Sequence, residues 1–178
     1  QPTGNLRPGA APYGAYPCAG GDKWCAIAVE SQADWERFCR AIGSPNWCSD
    51  ERFATTLGRE RHKSELNVLV AEWTRQHTGL EITQVLQAAG VAAAPIQDVE
   101  DQLNSNPQFE ARGFFVAMDE PEMGRIVTEA PPLKMSETPP QIYRLAPLMG
   151  EHTESVLREI LGLRDDEIAT LTEEGVLN

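Results

Sequence analysis

The sequence predicts an α/β protein: a small, α+β-like unit of short strands and several helices, then an extended proline-rich tail ending in two helices. Three observations predict it. Two short apolar runs flank a Gly20-Gly21-Asp22 turn, the pattern of a β-hairpin. Apolar residues then recur at helical spacing between residues 31 and 89. Finally, the stretch from Pro131 to Pro147 is crowded with proline and shows little periodicity.

Taken in order, residues 1–15 form a Gly/Pro/Ala-rich approach segment, too punctuated for regular structure. Tyr16-Pro17-Cys18 and Lys23 to Val29 are the arms of the hairpin. Ser31 is placed to cap a helix, with Asp34 in its first turn and Trp35, Phe38, Cys39 and Ile42 on one buried face. Gly43, with Pro45 soon after, ends it. Asp50 to Thr55 reads as a short turn or helical start. Arg59 to His77 reads as one long helix with Leu66, Leu69, Val70 and Trp73 on one face. Leu80 to Ala89 is another helix, with Ile82, Val85 and Leu86 buried, and Ala92 to Ile96 is a short strand. Small helices are predicted at Val99 to Asn104 and Pro107 to Arg112. Beyond Gly113, Phe114 to Met118 and Arg125 to Glu129 pair across a turn, and helices close the chain at Thr153 to Leu161 and Asp165 to Glu174. This divides the chain into a compact unit at 1–112 and a tail at 113–178 that wraps another body rather than building its own core.

The charge excludes some functions. With 27 acidic against 15 basic residues the net charge is −12, the wrong sign for neutralising nucleic-acid phosphates or an anionic membrane. No apolar run approaches the roughly 20 residues of a membrane helix. Cys18, Cys25, Cys39 and Cys48 are irregularly spaced and make no C-x-x-C pair, so no metal site is expected. With no signal segment at the start, reduced thiols and a cytoplasmic setting are the expectation. The chain opens on Gln1 rather than Met, which points to a longer parent.

No self-contained catalytic motif is present: no G-x-G-x-x-G, P-loop, G-x-S-x-G or H-E-x-x-H. His62, among Arg59, Arg61 and Lys63, reads as a solvated face residue, and His77 as a helix-closing one. Three features have two readings each. His152, in Gly150-Glu151-His152-Thr153, is either part of a helix start or a residue at the rim of a cleft. The segment from Gly9 through Tyr13 to Gly14 is either a loop that approaches a ligand or a turn leading into the hairpin. Glu30, directly after an apolar strand, is either an auxiliary catalytic carboxylate or an ordinary residue before a helix cap.

Several blocks, in order, resemble one family. Ala11-Pro12-Tyr13-Gly14-Ala15-Tyr16-Pro17 with Trp24 to Glu30 is similar to the start of the small domain of class III CoA-transferases. That family includes formyl-CoA and carnitine CoA-transferases and the related α-methylacyl-CoA racemases. Arg52-Phe53-Ala54-Thr55 followed by Arg59 or Arg61 matches the next block, and Ala89 to Pro95 the next, with Ala92 where Pro is more usual. Asn106-Pro107-Gln108, Ala111 to Phe115, Ala146-Pro147-Leu148, Gly150 to Thr153, Leu161-Gly162-Leu163 and Gly175-Val176 continue it.

The resemblance implies that this is the C-terminal part of a protein with a Rossmann-like large domain, a small domain, a C-terminal segment that returns to the large domain, and an interlocked homodimer. It implies chemistry on acyl-CoA and carboxylic acid substrates, with coenzyme A thioester as substrate and no covalently bound cofactor. An aspartate nucleophile attacks the thioester, giving an anhydride and then an enzyme–CoA thioester that the acceptor carboxylate resolves. That aspartate is expected upstream of Gln1, so no catalytic nucleophile is assigned within the chain. The segment Gly4 to Gly14 occupies the region matching the family's glycine-rich active-site loop but lacks a run of consecutive glycines. Glu30 matches a racemase glutamate but is followed by Ser31 rather than proline. The alternatives are a racemase that moves the proton α to the thioester, and a non-catalytic module binding CoA or a partner.

Overall fold

The structure, a computed structural model, describes residue 4 and residues 7–177; the rest of the approach segment, at 1–3, 5 and 6, lies outside them. It falls into two compact units, Gln1–Ser105 and Asn106–Asn178.

The first unit is built on three strands, β1 (Tyr13–Pro17), β2 (Trp24–Ala28) and β3 (Ala92–Ile96), in one antiparallel sheet of order β1-β2-β3. The hairpin turn works because Gly20 and Gly21 take positive φ (107° and 82°), where a side chain would be strained. β1 starts at Tyr13, so the expectation of no regular structure up to residue 15 is corrected: Tyr13 pairs with Ala28 and Ala15 with Ala26. Ladder hydrogen bonds to β2 outweigh the local Gly/Pro composition here.

Helices α1 (Gln32–Ala41), α2 (Thr56–Arg61), α3 (Lys63–Thr74) and α4 (Gly79–Ala88) supply the core against the sheet, and α5 (Val99–Ser105) ends the unit. Ser31 caps α1 by accepting the Asp34 amide at 3.1 Å. Thr78 and Glu81 form a reciprocal capping box on α4. Trp35, Phe38 and Cys39 are buried on α1, with Trp47 and Trp73 tilted or edge-on to the Phe38 ring at 6.4 and 6.5 Å. From the sheet come Tyr16, Cys25, Ile27 and Ala93, meeting Leu66, Val70, Ile82 and Leu86.

Two helix expectations need correction. The segment expected as one helix from Arg59 to His77 is α2 and α3, divided at His62 (φ −106°, ψ 23°). α2 is held down on the 3-10 turn at Glu51–Phe53, where Gly58 approaches the Arg52 carbonyl too closely for any side chain, whereas α3 follows β1. On α4 only Ile82 and Leu86 are buried; Val85 flanks that stripe and is exposed.

In the second unit, α6 (Pro107–Arg112) leads into a hairpin of β4 (Phe115–Glu120) and β5 (Gly124–Glu129). Phe109, Phe114 and Phe115 stack together with centroids 4.8–5.5 Å apart, which ties α6 to this hairpin. Residues 131–147 carry no helix or strand, and α7 (Thr153–Glu159) and α8 (Asp165–Glu173) follow. Among the described residues of this unit, Ile168 is the one buried hydrophobic, while Leu133, Tyr143 and Met149 are exposed. No helix among the described residues is long and apolar enough to cross a membrane.

Candidate functional site

The strand that becomes β1 is pinned before it enters the sheet. The Ala11 amide donates to the Val29 carbonyl at 3.2 Å, and the Val29 amide to the Pro12 carbonyl at 2.9 Å, so the hairpin ladder runs on past the strand ends. Ala10, Ala11 and Pro12 are buried as a result. The residue that holds them is Arg59. Its fully buried guanidinium donates from Nε to the Ala11 carbonyl (2.9 Å), from Nη1 to the Phe53 carbonyl and Gln32 Oε1 (3.0 Å each), and from Nη2 to Thr56 Oγ1 (3.1 Å). The same group lies over the Trp35 ring, 4.8 Å from its centroid. Burial draws its pKa below the usual guanidinium value. Sequence reasoning gave Arg59 no role of its own, naming it only as a neighbour of His62 and, with Arg61 as the alternative, as the arginine that follows the Arg52-Phe53-Ala54-Thr55 block.

Gly9, with φ +83°, is exposed at the start of the pinned segment, and its amide donates to the Glu60 carboxylate. Tyr13 and Gly14 are strand residues rather than loop residues, opposite Ala28 and Ile27. Glu30 follows β2 at the same end of the sheet and is ion-paired with Arg7. Both partners are about half exposed, a pair that contributes little to stability. So the fold brings Gly9, Tyr13, Gly14 and Glu30 to one end of one sheet. His152 belongs to the second unit, where it precedes α7 in a shallow depression with Pro147, Leu148 and Glu151; the Glu151 carboxylate accepts the Leu148 amide at 2.7 Å.

Beside Tyr13 lies an open, apolar groove of about 470 Å³, lined by Tyr13, Ala15, Ala26, Ala28, Ala92 and Ala94 among others. Its walls offer shape and apolar contact, with no charged side chain among the lining residues. Tyr16 points to the other face, where burial pushes its phenol up and its hydroxyl donates to Asn67 Oδ1 at 2.7 Å. Several cations are already engaged: Arg7 by Glu30, Lys23 by Asp101 and Asp98, Arg37 by Asp34, Arg52 by Asp50 and Glu65. A polyanionic ligand would have to compete with these carboxylates. Among the described residues no group of three His, Cys, Asp or Glu converges to hold a metal ion.

Comparison with known proteins gives one family. The profile described as CoA-transferase family III matches residues 1–153. The chain is 35% identical over 173 residues to a "Probable CoA-transferase" of Mycobacterium tuberculosis, covering 97% of this chain and 22% of that protein. It is 32% identical to succinyl-CoA–D-citramalate CoA-transferase of Chloroflexus aurantiacus, covering 98% and 43%. It is 31% identical to a formyl-CoA:oxalate CoA-transferase of Rhodopseudomonas palustris, covering 80% and 33%. Among solved structures, a CaiB/BaiF family protein from Brucella suis superposes with a TM-score of 0.75 at 28% identity, over 88% of this chain and 39% of that one. The chain thus spans less than half the length of these relatives.

Proposed function

The chain belongs to CoA-transferase family III, and on that premise we propose that it is the C-terminal portion of an acyl-CoA transferase moving CoA between a CoA thioester and a carboxylic acid. Residues 1–112 serve as its small domain and residues 113–178 as a segment that returns to a large domain outside this chain. The nucleophilic aspartate is carried by that large domain. Its carboxylate attacks the thioester carbonyl, CoA thiolate leaves, and a mixed anhydride forms. Thiolate then returns to the enzyme carbonyl, releasing the donor acid; the acceptor carboxylate attacks the resulting enzyme–CoA thioester, expelling thiolate, which takes the acceptor acyl group from the second anhydride and frees the aspartate. Each exchange joins activated acyl groups of similar energy, so a carboxylate suffices as nucleophile. The whole enzyme works as a cytoplasmic homodimer.

The observation that carries this reading is the family match over residues 1–153, together with similarity to relatives whose names specify CoA exchange between two acids. In support, Gly9, Tyr13, Gly14 and Glu30 gather at one end of one sheet. There Glu30 acts as an auxiliary carboxylate, and His152 contributes a cleft rim.

The test is made on the full-length polypeptide, given an acyl-CoA and an isotopically labelled free acid. Label should move into the CoA thioester. Deuterium exchange at the carbon α to the thioester without CoA transfer would replace this reading with a racemase. Most CoA contacts are assigned, like the aspartate, to polypeptide outside this chain, so tight CoA binding by residues 1–178 alone, measured by calorimetry, would overturn that assignment.

A further inference from the structure

The cysteines have no part in the proposed exchange, yet two of them are brought to one opening. At the end of α1 the chain reverses: the Ser44 amide donates to the Cys39 carbonyl at 2.8 Å, and the Gly43 amide to the Arg40 carbonyl at 3.2 Å. Gly43 (φ 85°) and Ser44 (φ 50°) both take the left-handed conformation that closes a helix, and Ser44 is the one non-glycine residue among those described with positive φ. A 3-10 turn at Asn46–Ser49 follows. Its Trp47 lies on α1, with ring centroids 6.2 Å from Trp35 and 6.4 Å from Phe38. Cys39 follows Phe38 and Cys48 follows Trp47, so this clasp carries the two thiols toward each other. Both line one open depression with Glu36, Arg40 and Ser44, and they are within hydrogen-bonding reach.

Exposure separates their roles. Cys39 is 8% exposed, whereas Cys48 is partly open to solvent. The contact with Cys48, and then burial, push the Cys39 thiol up. Cys39 therefore keeps its proton, and Cys48 is the sulfur an outside reagent meets first. Cys18 and Cys25 are also neighbours, but both are buried in the hairpin. They serve as an internal control: a second close pair without the opening.

We propose that Cys39 and Cys48 form a site of reversible oxidation by hydrogen peroxide, Cys48 taking the oxidant and Cys39 closing a disulfide. The Cys48 sulfur attacks one peroxide oxygen, the O–O bond breaks, and a sulfenic acid forms. The departing oxygen takes the thiol proton and leaves as water. The Cys39 sulfur then attacks the Cys48 sulfur; the S–O bond breaks, and a second water carries off the Cys39 proton. Two electrons thus pass from the two thiols to the peroxide. Capture by Cys39 keeps Cys48 from the irreversible sulfinic step, and exchange with a thiol reductant reopens the bridge. Neither sulfur takes part in the proposed CoA exchange, so the outcome is independent of that reading.

The experiment exposes the full-length protein to hydrogen peroxide at neutral pH, unfolds it in N-ethylmaleimide to block free thiols, and maps tryptic peptides by mass spectrometry. Cleavage after Arg40 places Cys39 and Cys48 on separate peptides, so a bridge joins two fragments and dithiothreitol parts them. The joined pair should form at least about tenfold faster than any product at Cys18 or Cys25. Cys39→Ser should leave a sulfenic acid on Cys48 that dimedone traps, and Cys48→Ser should leave Cys39 reduced; tryptophan fluorescence checks the fold of both. In the unsubstituted protein, recovery of both thiols as maleimide adducts, or sulfinic acid on Cys48 with no joined pair, would overturn the proposal. Oxidation of Cys25 as fast as Cys48 would do the same, as would oxidised Cys39 in a folded Cys48→Ser variant.

Discussion

Replacing Arg59 tests the central structural claim, that one buried cation fixes the segment leading into β1. Arg59→Met keeps much of the volume and removes every donor. The Ala11 and Phe53 carbonyls then lose their partners inside the core. Each unsatisfied acceptor costs about 1–3 kcal/mol, while the variant no longer has to desolvate a guanidinium, so a net loss of about 3 kcal/mol is expected. For a cooperative unit of roughly 100 residues this lowers the thermal midpoint by about 12 °C. All four tryptophans, Trp24, Trp35, Trp47 and Trp73, lie within residues 1–105, so urea unfolding followed by tryptophan fluorescence reports this unit alone. Amide exchange adds a local readout: the Ala11 and Val29 amides, which form the ladder beside the Arg59 contact, should lose protection first. Arg59→Lys should restore only part of the loss, because an ammonium cannot present the planar fork that reaches Ala11, Phe53, Gln32 and Thr56 together. A variant Arg59→Met within about 1 kcal/mol of the parent, with unchanged exchange at Ala11, would refute the reasoning.

Gly58→Ala should destabilise despite alanine's better helix propensity: its Cβ would lie 2.5 Å from the Arg52 backbone oxygen, and urea midpoints should fall where an exposed helical glycine would gain about 1 kcal/mol. The Arg52 guanidinium beside Asp50 lowers that carboxyl from 3.8 to about 2. Because the folded value lies below the unfolded one, the Asp50 contribution is present above pH 4 and lost as pH falls toward 2; NMR titration of its carboxyl should show the depressed midpoint, and Arg52→Gln should return it toward 3.8. Alkylation of the native chain at pH 8 should reach Cys48, the one partly exposed thiol, before the others. Burial pushes the Cys18 and Cys25 thiols up, and at Cys39 the contact with Cys48 does so first, so mass spectrometry finding Cys25 modified as fast as Cys48 would contradict the packing.

Much of the fold was legible because its signals are local. Ser31 three residues before Asp34, the Gly20-Gly21 turn and the Trp35-Phe38-Cys39-Ile42 stripe each specify an element without reference to distant residues, and each element formed. The departures share a different cause. Tyr13 to Ala15 became strand because β2 offered a ladder, and the predicted helix from Arg59 divided at His62 because α2 answers to the 51–53 turn while α3 answers to β1. Val85 was assigned to a stripe wider than the contact α4 makes with the sheet. The sequence boundary at 112 and the observed division at 105 differ by α6, whose Phe109 stacks on residues beyond the boundary.

The candidate site illustrates why residue type misleads where tertiary context decides. Arg59 sits in Arg59-Glu60-Arg61-His62-Lys63, a run that by composition belongs in water. It is buried because three segments far apart in sequence each present an acceptor to it: Ala11 before β1, Gln32 at the start of α1 and Phe53 in the turn before α2. No charged partner is needed, since backbone dipoles and the Trp35 face carry the stabilisation that a carboxylate would otherwise supply. A neutral arrangement of that kind is invisible to charge patterning, which searches for opposite signs. It has one consequence for the site. Arg59 holds the Ala11 segment through neutral acceptors on Ala11, Phe53, Gln32 and Thr56, so any pH dependence of the full-length protein in the neutral range must come from groups other than the Arg59 anchor. A neutral-range pH profile that shifted in the Arg59→Lys enzyme, with its fold intact by fluorescence, would show that the anchor reaches the chemistry after all.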